Sequence, residues 1–328
     1  MKRLKKVLSI ILMGCLAMGL LVGCGGSSSG STSGSAKVLF IVTDLEDTYR
    51  ALLADKISSA AEASGVELDV EESGSDVNAQ LQLVEDAKSN GYEAIIMILA
   101  DSDTALQMQV ASNDLPIVYV NSRPDDSVLE ANQYVFVGSD EEQAGEYQAE
   151  YVWEKLGKPS SLNAIILEGE QGHSGTIGRT SAVKNYFKDQ GVEVNYVFVD
   201  FCNWSDKTAE EKLEVFYKTG QSFDAVFCNN DTMALGACES LKAHGYDLDK
   251  IPVCGVDATE DGCASINAGD MQFTVLQDAE GQANAAVQAC ATLVNGGQIT
   301  DVDGGSDDGL FVWVPFQKVD ASNVSDYL

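Results

Sequence analysis

From Lys37 to near its end the chain alternates short apolar runs with longer amphipathic segments, and this alternation limits its fold more than any other feature. Val38 to Val42 is one run, and residues 48–64 then carry Leu52, Leu53, Ile57 and Ala61 at helical spacing. Val66, Leu68 and Val70 alternate strictly, as in a strand, and Leu81, Val84 and Ala87 mark a helix near 77–90. Ala94 to Ile98, a helical stretch near 103–112 and Ile117 to Val120 complete a first series. A second series runs through 134–137, 164–167, 194–199, 225–227, 253–256 and 273–276, with helical patterns between most of these runs. Strands separated by helices make βαβ units and parallel sheets. Two series predict an α/β protein with two such sheets.

Ligands of open α/β sheets sit beyond the carboxyl ends of the strands. Here Asp47, Tyr49 and Arg50 follow the first run, and Asn121 and Arg123 follow Val120. His173 and Arg179 lie beyond Leu167, Trp204 beyond Val199, and Asn229-Asn230-Asp231 directly after Cys228. Asp257 follows Val256 and Gln277 follows Leu276. Taken singly, each has an ordinary explanation, since Asp and Asn cap helices and a lone Trp or His more often serves the core. Together they suit a polyhydroxylated ring. Sugar hydroxyls donate to carboxylates and accept from guanidinium and amide groups, while the apolar face of the ring stacks on an aromatic side chain.

The charge narrows the partners. The formal charge is −31, and four positive charges (Lys2, Arg3, Lys5 and Lys6) fall in the first 23 residues, so the remainder carries about −35. A nucleic-acid partner is excluded, because no basic surface can replace phosphate counterions. Docking on anionic lipid through surface charge is disfavoured for the same reason. No G-x-G-x-x-G follows the first strand, and neither a P-loop nor a G-x-S-x-G elbow occurs, so the chain reads as a binding protein and not an enzyme. No cofactor is expected. Cys202, Cys228, Cys238, Cys254, Cys263 and Cys290 lack CxxC spacing and several sit inside apolar runs, which reads as small buried hydrophobes and not as a metal site. Which of them could pair is left open.

The amino terminus is an export signal. A basic start precedes the apolar run Val7 to Val22, too short to span a membrane comfortably, and Leu21-Val22-Gly23-Cys24 follows. That tetrad resembles the lipobox of bacterial lipoproteins, in which the cysteine is acylated and becomes the first residue. The resemblance implies a signal peptide at 1–23, lipidation at Cys24 and a lipid anchor outside the cytoplasm. Gly25 to Ser35 is all Gly, Ser and Thr, a flexible tether that extends the leash to residue 36.

Further motifs point to one family. Gly169-Glu170-Gln171-Gly172-His173 with Arg179-Thr180, Asn229-Asn230-Asp231-Thr232-Met233-Ala234-Leu235-Gly236-Ala237, Gly255-Val256-Asp257-Ala258 and Thr274-Val275-Leu276-Gln277-Asp278-Ala279 resemble segments of the glucose/galactose-binding proteins of bacterial ABC importers. The likeness extends over nearly all of 37–328. It implies a type I periplasmic binding protein, with two Rossmann-like lobes joined by three crossing segments near 138–139, 277–278 and 314–315. The lobes would be 37–138 plus 278–314 and 139–277 plus 315–328. Asp47 and Asn121 would contact hydroxyls from the first lobe, with Tyr49 as one stacking face and Arg50 beside them. His173, Arg179, Asn230 and Asp257 would do so from the second, with Trp204 as the other face and Gln277 at a crossover.

The expected ligand is a monosaccharide, a hexose such as glucose or galactose, and the expected protein partner is a membrane ABC permease serving a monomeric binding protein. A sugar sensor presenting its ligand to a chemoreceptor or sensor kinase is the alternative. Two departures touch the ligand. Gly175 replaces a family carboxylate, and Arg50 an uncharged residue. The family's calcium loop is also missing, because Lys158-Pro159-Ser160-Ser161 supplies no carboxylates, so no bound metal is expected.

Overall fold

The computed structural model describes residues 35–328; the expected signal peptide, the expected lipid site Cys24 and nearly all of the Gly/Ser/Thr segment lie outside the described residues. The first half builds β1 (Lys37–Val42), α1 (Thr48–Ser64), β2 (Glu67–Glu72), α2 (Val77–Ala87), β3 (Ala94–Met97), α3 (Ala105–Ala111), β4 (Ile117–Val120) and β5 (Tyr134–Gly138). The second builds α4 (Glu141–Lys155), β6 (Ser161–Glu168), α5 (Ser174–Asp189), β7 (Glu193–Phe201), α6 (Asp206–Tyr217), β8 (Ala225–Cys228), α7 (Asp231–Ala243), β9 (Val253–Cys254), α8 (Glu260–Ala268) and β10 (Phe273–Leu276). The chain then adds α9 (Ala279–Val294), β11 (Phe311–Trp313) and β12 (Gln317–Asp320).

These strands form two six-stranded sheets, ordered β11-β5-β4-β3-β1-β2 and β12-β10-β9-β8-β6-β7. The first is parallel throughout. The second is parallel except at its edge, where β12 runs antiparallel to β10. The two parallel-sheet lobes expected from the sequence are present, with this one antiparallel edge added. β11 and β12 flank Pro315 and are three and four residues long, too short for a period to emerge from the sequence. Helices cover both faces of each sheet, which is why β3, β4 and β8 are apolar without alternation.

Local chemistry sets the helix ends. The Asp47 carboxylate accepts the Arg50 backbone N–H at 2.8 Å and starts α1, and Gly65, in the left-handed region at φ 68°, ends it. Along α1, Leu53, Ile57, Ala60 and Ala61 are buried in one cluster with Ala283, Ala286, Val287 and Cys290 of α9. The small side chains let the two helices approach, and α9 thereby belongs to the first lobe although its sequence follows the second.

The backbone passes between lobes three times, after β5, after β10 and after β11. Two of the passages are tied together. The Val314 N–H donates to Gly138 O at 2.9 Å, and Ser139 Oγ donates to Val314 O at 2.7 Å. Gln282 Nε2 of α9 donates to the same Ser139 hydroxyl at 3.0 Å. All six cysteines of the second half are buried free thiols.

Candidate functional site

Because every βα connection leaves its strand at the carboxyl end, the two sheets aim their loops at each other. Ten side chains from those loops and from the helices that follow them line one cavity: Asp47, Tyr49, Arg50, Asn121, His173, Arg179, Trp204, Asn230, Asp257 and Gln277. Each residue singled out from the sequence as a ligand contact is among them. Arg123, flagged at the end of β4, is not. Its guanidinium pairs with Asp126 at 2.6 Å and lies over the Phe311 ring at 4.9 Å.

Several of these residues are helix caps as well as cavity walls. His173 Nδ1 accepts the Gly175 N–H at 3.0 Å, and Asn230 Oδ1 accepts the Met233 N–H at 2.9 Å. Capping and facing the cavity are therefore not alternatives here. The cap also defines the tautomer of His173. With Nδ1 accepting, the proton sits on Nε2, which donates across the cleft to Asn121 Oδ1 at 3.3 Å. Burial, and then Arg50 and Arg179 nearby, hold the imidazole well below its ordinary pKa, so it stays neutral.

Three of the ten have left-handed backbones: Asn121 at φ 60°, Trp204 at φ 62° and Asp257 at φ 120°. Asn adopts that region readily, but for a bulky residue it is strained, and such strain gathers at functional sites. Trp204 follows Asn203, also left-handed at φ 51°. The indole is seated on Gly169, where a Cβ would stand 2.1 Å from the ring. Only glycine leaves room for it. The ring meets His173 edge-on at 5.1 Å between centroids, and its buried Nε1–H has no partner within the chain among the described residues.

Both cationic groups of the cavity are already engaged. Arg179 donates from Nε to Glu141 Oε2 at 2.6 Å, from Nη1 to Asn229 O at 2.5 Å and from Nη2 to Gln277 Oε1 at 2.8 Å. Arg50 donates from Nη1 to Asp44 Oδ2 and from Nη2 to Glu170 Oε2, each at 2.7 Å. Burial opposes the charge on Arg50, and the bond to Glu170 prevails, so its pKa lies above the ordinary value. Asp257 is met less closely, with Arg179 Nη1 at 4.0 Å, longer than a hydrogen bond. Burial drives its carboxyl well above the usual range, and that of Asp47 above it too. Under Asp257, burial raises the fully buried Asp231 to about 7, against hydrogen bonds from Thr274 and Thr259 that lower it.

The sequence reading did not select Asp44, Glu141, Glu170 or Gln282, although they hold Arg50, Arg179 and Tyr49 in place; Tyr49 Oη donates to Gln282 Oε1 at 3.1 Å. Glu170 was visible in the loop motif before His173. Glu141 carried no signal beyond its place in the first turn of α4. Gly175 packs closely on both groups, since a Cβ there would lie 3.3 Å from His173 Nδ1 and 3.5 Å from the Arg179 guanidinium carbon. Among the described residues, no group of three or more His, Cys, Asp or Glu side chains is arranged to hold a metal ion.

Fold and site together define a two-lobed solute-binding protein, and the comparisons agree. Residues 38–298 match the family of the periplasmic binding protein domain, and the chain belongs to that family. Its members bind solutes and are not enzymes. The D-galactose/methyl-galactoside binding periplasmic protein of Haemophilus influenzae is 27% identical over 317 residues, 92% of this chain and 95% of that one. A putative rhizopine-binding protein of Rhizobium meliloti is 28% identical over 86% of this chain and 89% of its own length. Among solved structures, an ABC transporter solute binding protein from Bacillus halodurans with bound myo-inositol superposes with a TM-score of 0.79. It is 28% identical, covering 91% of this chain and 99% of that one.

Proposed function

We propose that this protein captures a neutral, monosaccharide-sized polyhydroxylated ring between its lobes and delivers it unchanged to an ABC importer. A hexose of the glucose or galactose kind is the first choice, and a cyclic polyol of the same size is the second. The observation that carries the reading is the state of the charges around the cavity. Arg50 and Arg179 are each matched by carboxylates, leaving no free cation for a ligand carboxylate, while Asp47 and Asp257 offer acceptor oxygens for hydroxyls. The unpartnered Trp204 Nε1–H supports a wall completed from outside the chain.

The relatives that bind galactose and myo-inositol lend weight to both choices. In this reading the crossings near 138–139, 277–278 and 314–315 act as a hinge between lobes 37–138 plus 278–314 and 139–277 plus 315–328. The protein works as a monomer, held on the membrane by lipid on Cys24. Mass spectrometry of the mature amino-terminal peptide tests that anchor, and an unmodified Cys24 in membrane-extracted protein rejects it.

A thermal panel on ligand-stripped protein tests the ligand class. A ligand at about a thousandfold excess over its dissociation constant adds roughly 4 kcal/mol of stability, a shift of several degrees. Glucose, galactose or myo-inositol should give it, whereas a hexuronate should not. A shift with the hexuronate alone overturns the neutral-ligand claim. No shift with any carbohydrate or polyol overturns the sugar reading.

A further inference from the structure

We propose that the ion pair between Arg50 and Glu170 is an interlobe latch that biases the two lobes toward closure and retards ligand release. Arg50 lies on α1 of the first lobe, and Glu170 in the loop between β6 and α5 of the second. Among the described residues, theirs is the one ion pair that joins the lobes; the others each stay within a lobe. Two further polar contacts cross the cleft nearby, His173 Nε2 to Asn121 Oδ1 at 3.3 Å and the Arg123 N–H to Ser174 Oγ at 2.8 Å, and both are neutral.

The position of the pair gives it the role of a gate. Arg50 lines the inner cavity and also the outer vestibule, where Asp44, Glu170 and Trp204 join it. A ligand leaving toward the vestibule passes the guanidinium. At 4% exposure that guanidinium is out of water, and a buried cation is costly without partners. Asp44, on its own lobe, supplies one partner whatever the separation of the lobes. Glu170 supplies the other only when the lobes meet, so closure and the second bond form together. Both lobes belong to a strongly acidic chain, and among the described residues no other ion pair draws them together.

This inference rests on the reading of the protein as a two-lobed binder that closes on its ligand, but it can be tested without any ligand. Glu170→Gln removes the charge from a partly exposed position and leaves the fold intact. The ligand-free variant should scatter as a larger particle than wild type at the same ionic strength. In stopped-flow fluorescence with D-galactose and with myo-inositol as probes, it should release bound probe about tenfold faster, with a smaller change in association. Glu170→Asp, which keeps the charge, should restore part of both effects. Asp44→Asn removes the partner on the same lobe and keeps the interlobe bond, so it should not enlarge the free particle.

Unchanged scattering and unchanged release in Glu170→Gln overturn the latch, as does equal opening in Asp44→Asn. If neither probe binds wild type, the ligand reading fails, and the scattering comparison still decides the latch.

Discussion

The two walls of the cavity are built on different plans. The wall from the first lobe is sparse. Asp47 is a helix cap, Tyr49 leans on Gln282, Asn121 sits on a strand end, and Arg50 reaches outward to Asp44 and Glu170. The wall from the second lobe is a buried network in which Arg179 is gripped by Glu141, Asn229 and Gln277, with Asp257 and Asp231 behind it. Trp204 is seated on Gly169, and His173 is oriented by its own cap. One wall is bonded together within its own lobe. The other has fewer bonds of its own and meets the second lobe through Arg50. Preorganised groups lose less freedom on binding, so the second lobe should dominate both recognition and stability.

The strongest way to break this contrast is at Arg179. Arg179→Met leaves Glu141, Asp257 and Asp231 without their shared cation and should cost about 3–5 kcal/mol of stability in the absence of ligand. A urea midpoint equal to that of wild type would show that the second wall is no more structural than the first.

Gly169→Ala comes next. Its Cβ cannot coexist with the Trp204 ring where it stands, and overpacking of this kind costs about 1–3 kcal/mol. Displacing the indole should lower ligand affinity at least tenfold while the protein stays folded, as titration and near-ultraviolet dichroism can report. Unaltered affinity would remove Trp204 from the recognition surface.

Asp47→Asn probes the other wall. Asn caps a helix as well as Asp, so stability should change by only a few tenths of a kcal/mol. Affinity should fall about tenfold, or roughly 1.4 kcal/mol, because the amide replaces an acceptor with a donor. A loss of stability as large as that of Arg179→Met would erase the distinction between the walls.

The smallest effect concerns pH. Asp231 has a folded pKa raised from 3.8 to about 7, so its contribution to stability is fully present below 3.8 and is lost as pH rises through about 7. Asp257 is raised in the same direction. His173 is depressed, so its contribution is present above 6.5 and is lost as pH falls through its folded value. The carboxylates should prevail, and Tm should hold or rise slightly from pH 7.5 to 5.5. Asp231→Asn should remove part of that rise, and a superimposable pH profile would sink the assignment.

The amino-acid order alone determined the parts of this protein that depend on near neighbours. The spacing of apolar residues marks most strands and helices, because a side chain's face follows from its distance along the chain. The βαβ alternation then places Asp47, Asn121, His173, Asn230, Asp257 and Gln277 at strand ends. Since parallel strands all point one way, those ends share an edge. Tertiary structure alone decided the rest. It put Glu170 on Arg50, 120 residues away, and Glu141 on Arg179, 38 away. It also turned β12 antiparallel, and it held Trp204 in a backbone conformation that its residue type disfavours. Charge pairing and strain of that kind depend on which surfaces meet after folding, and no periodicity in the chain encodes the meeting.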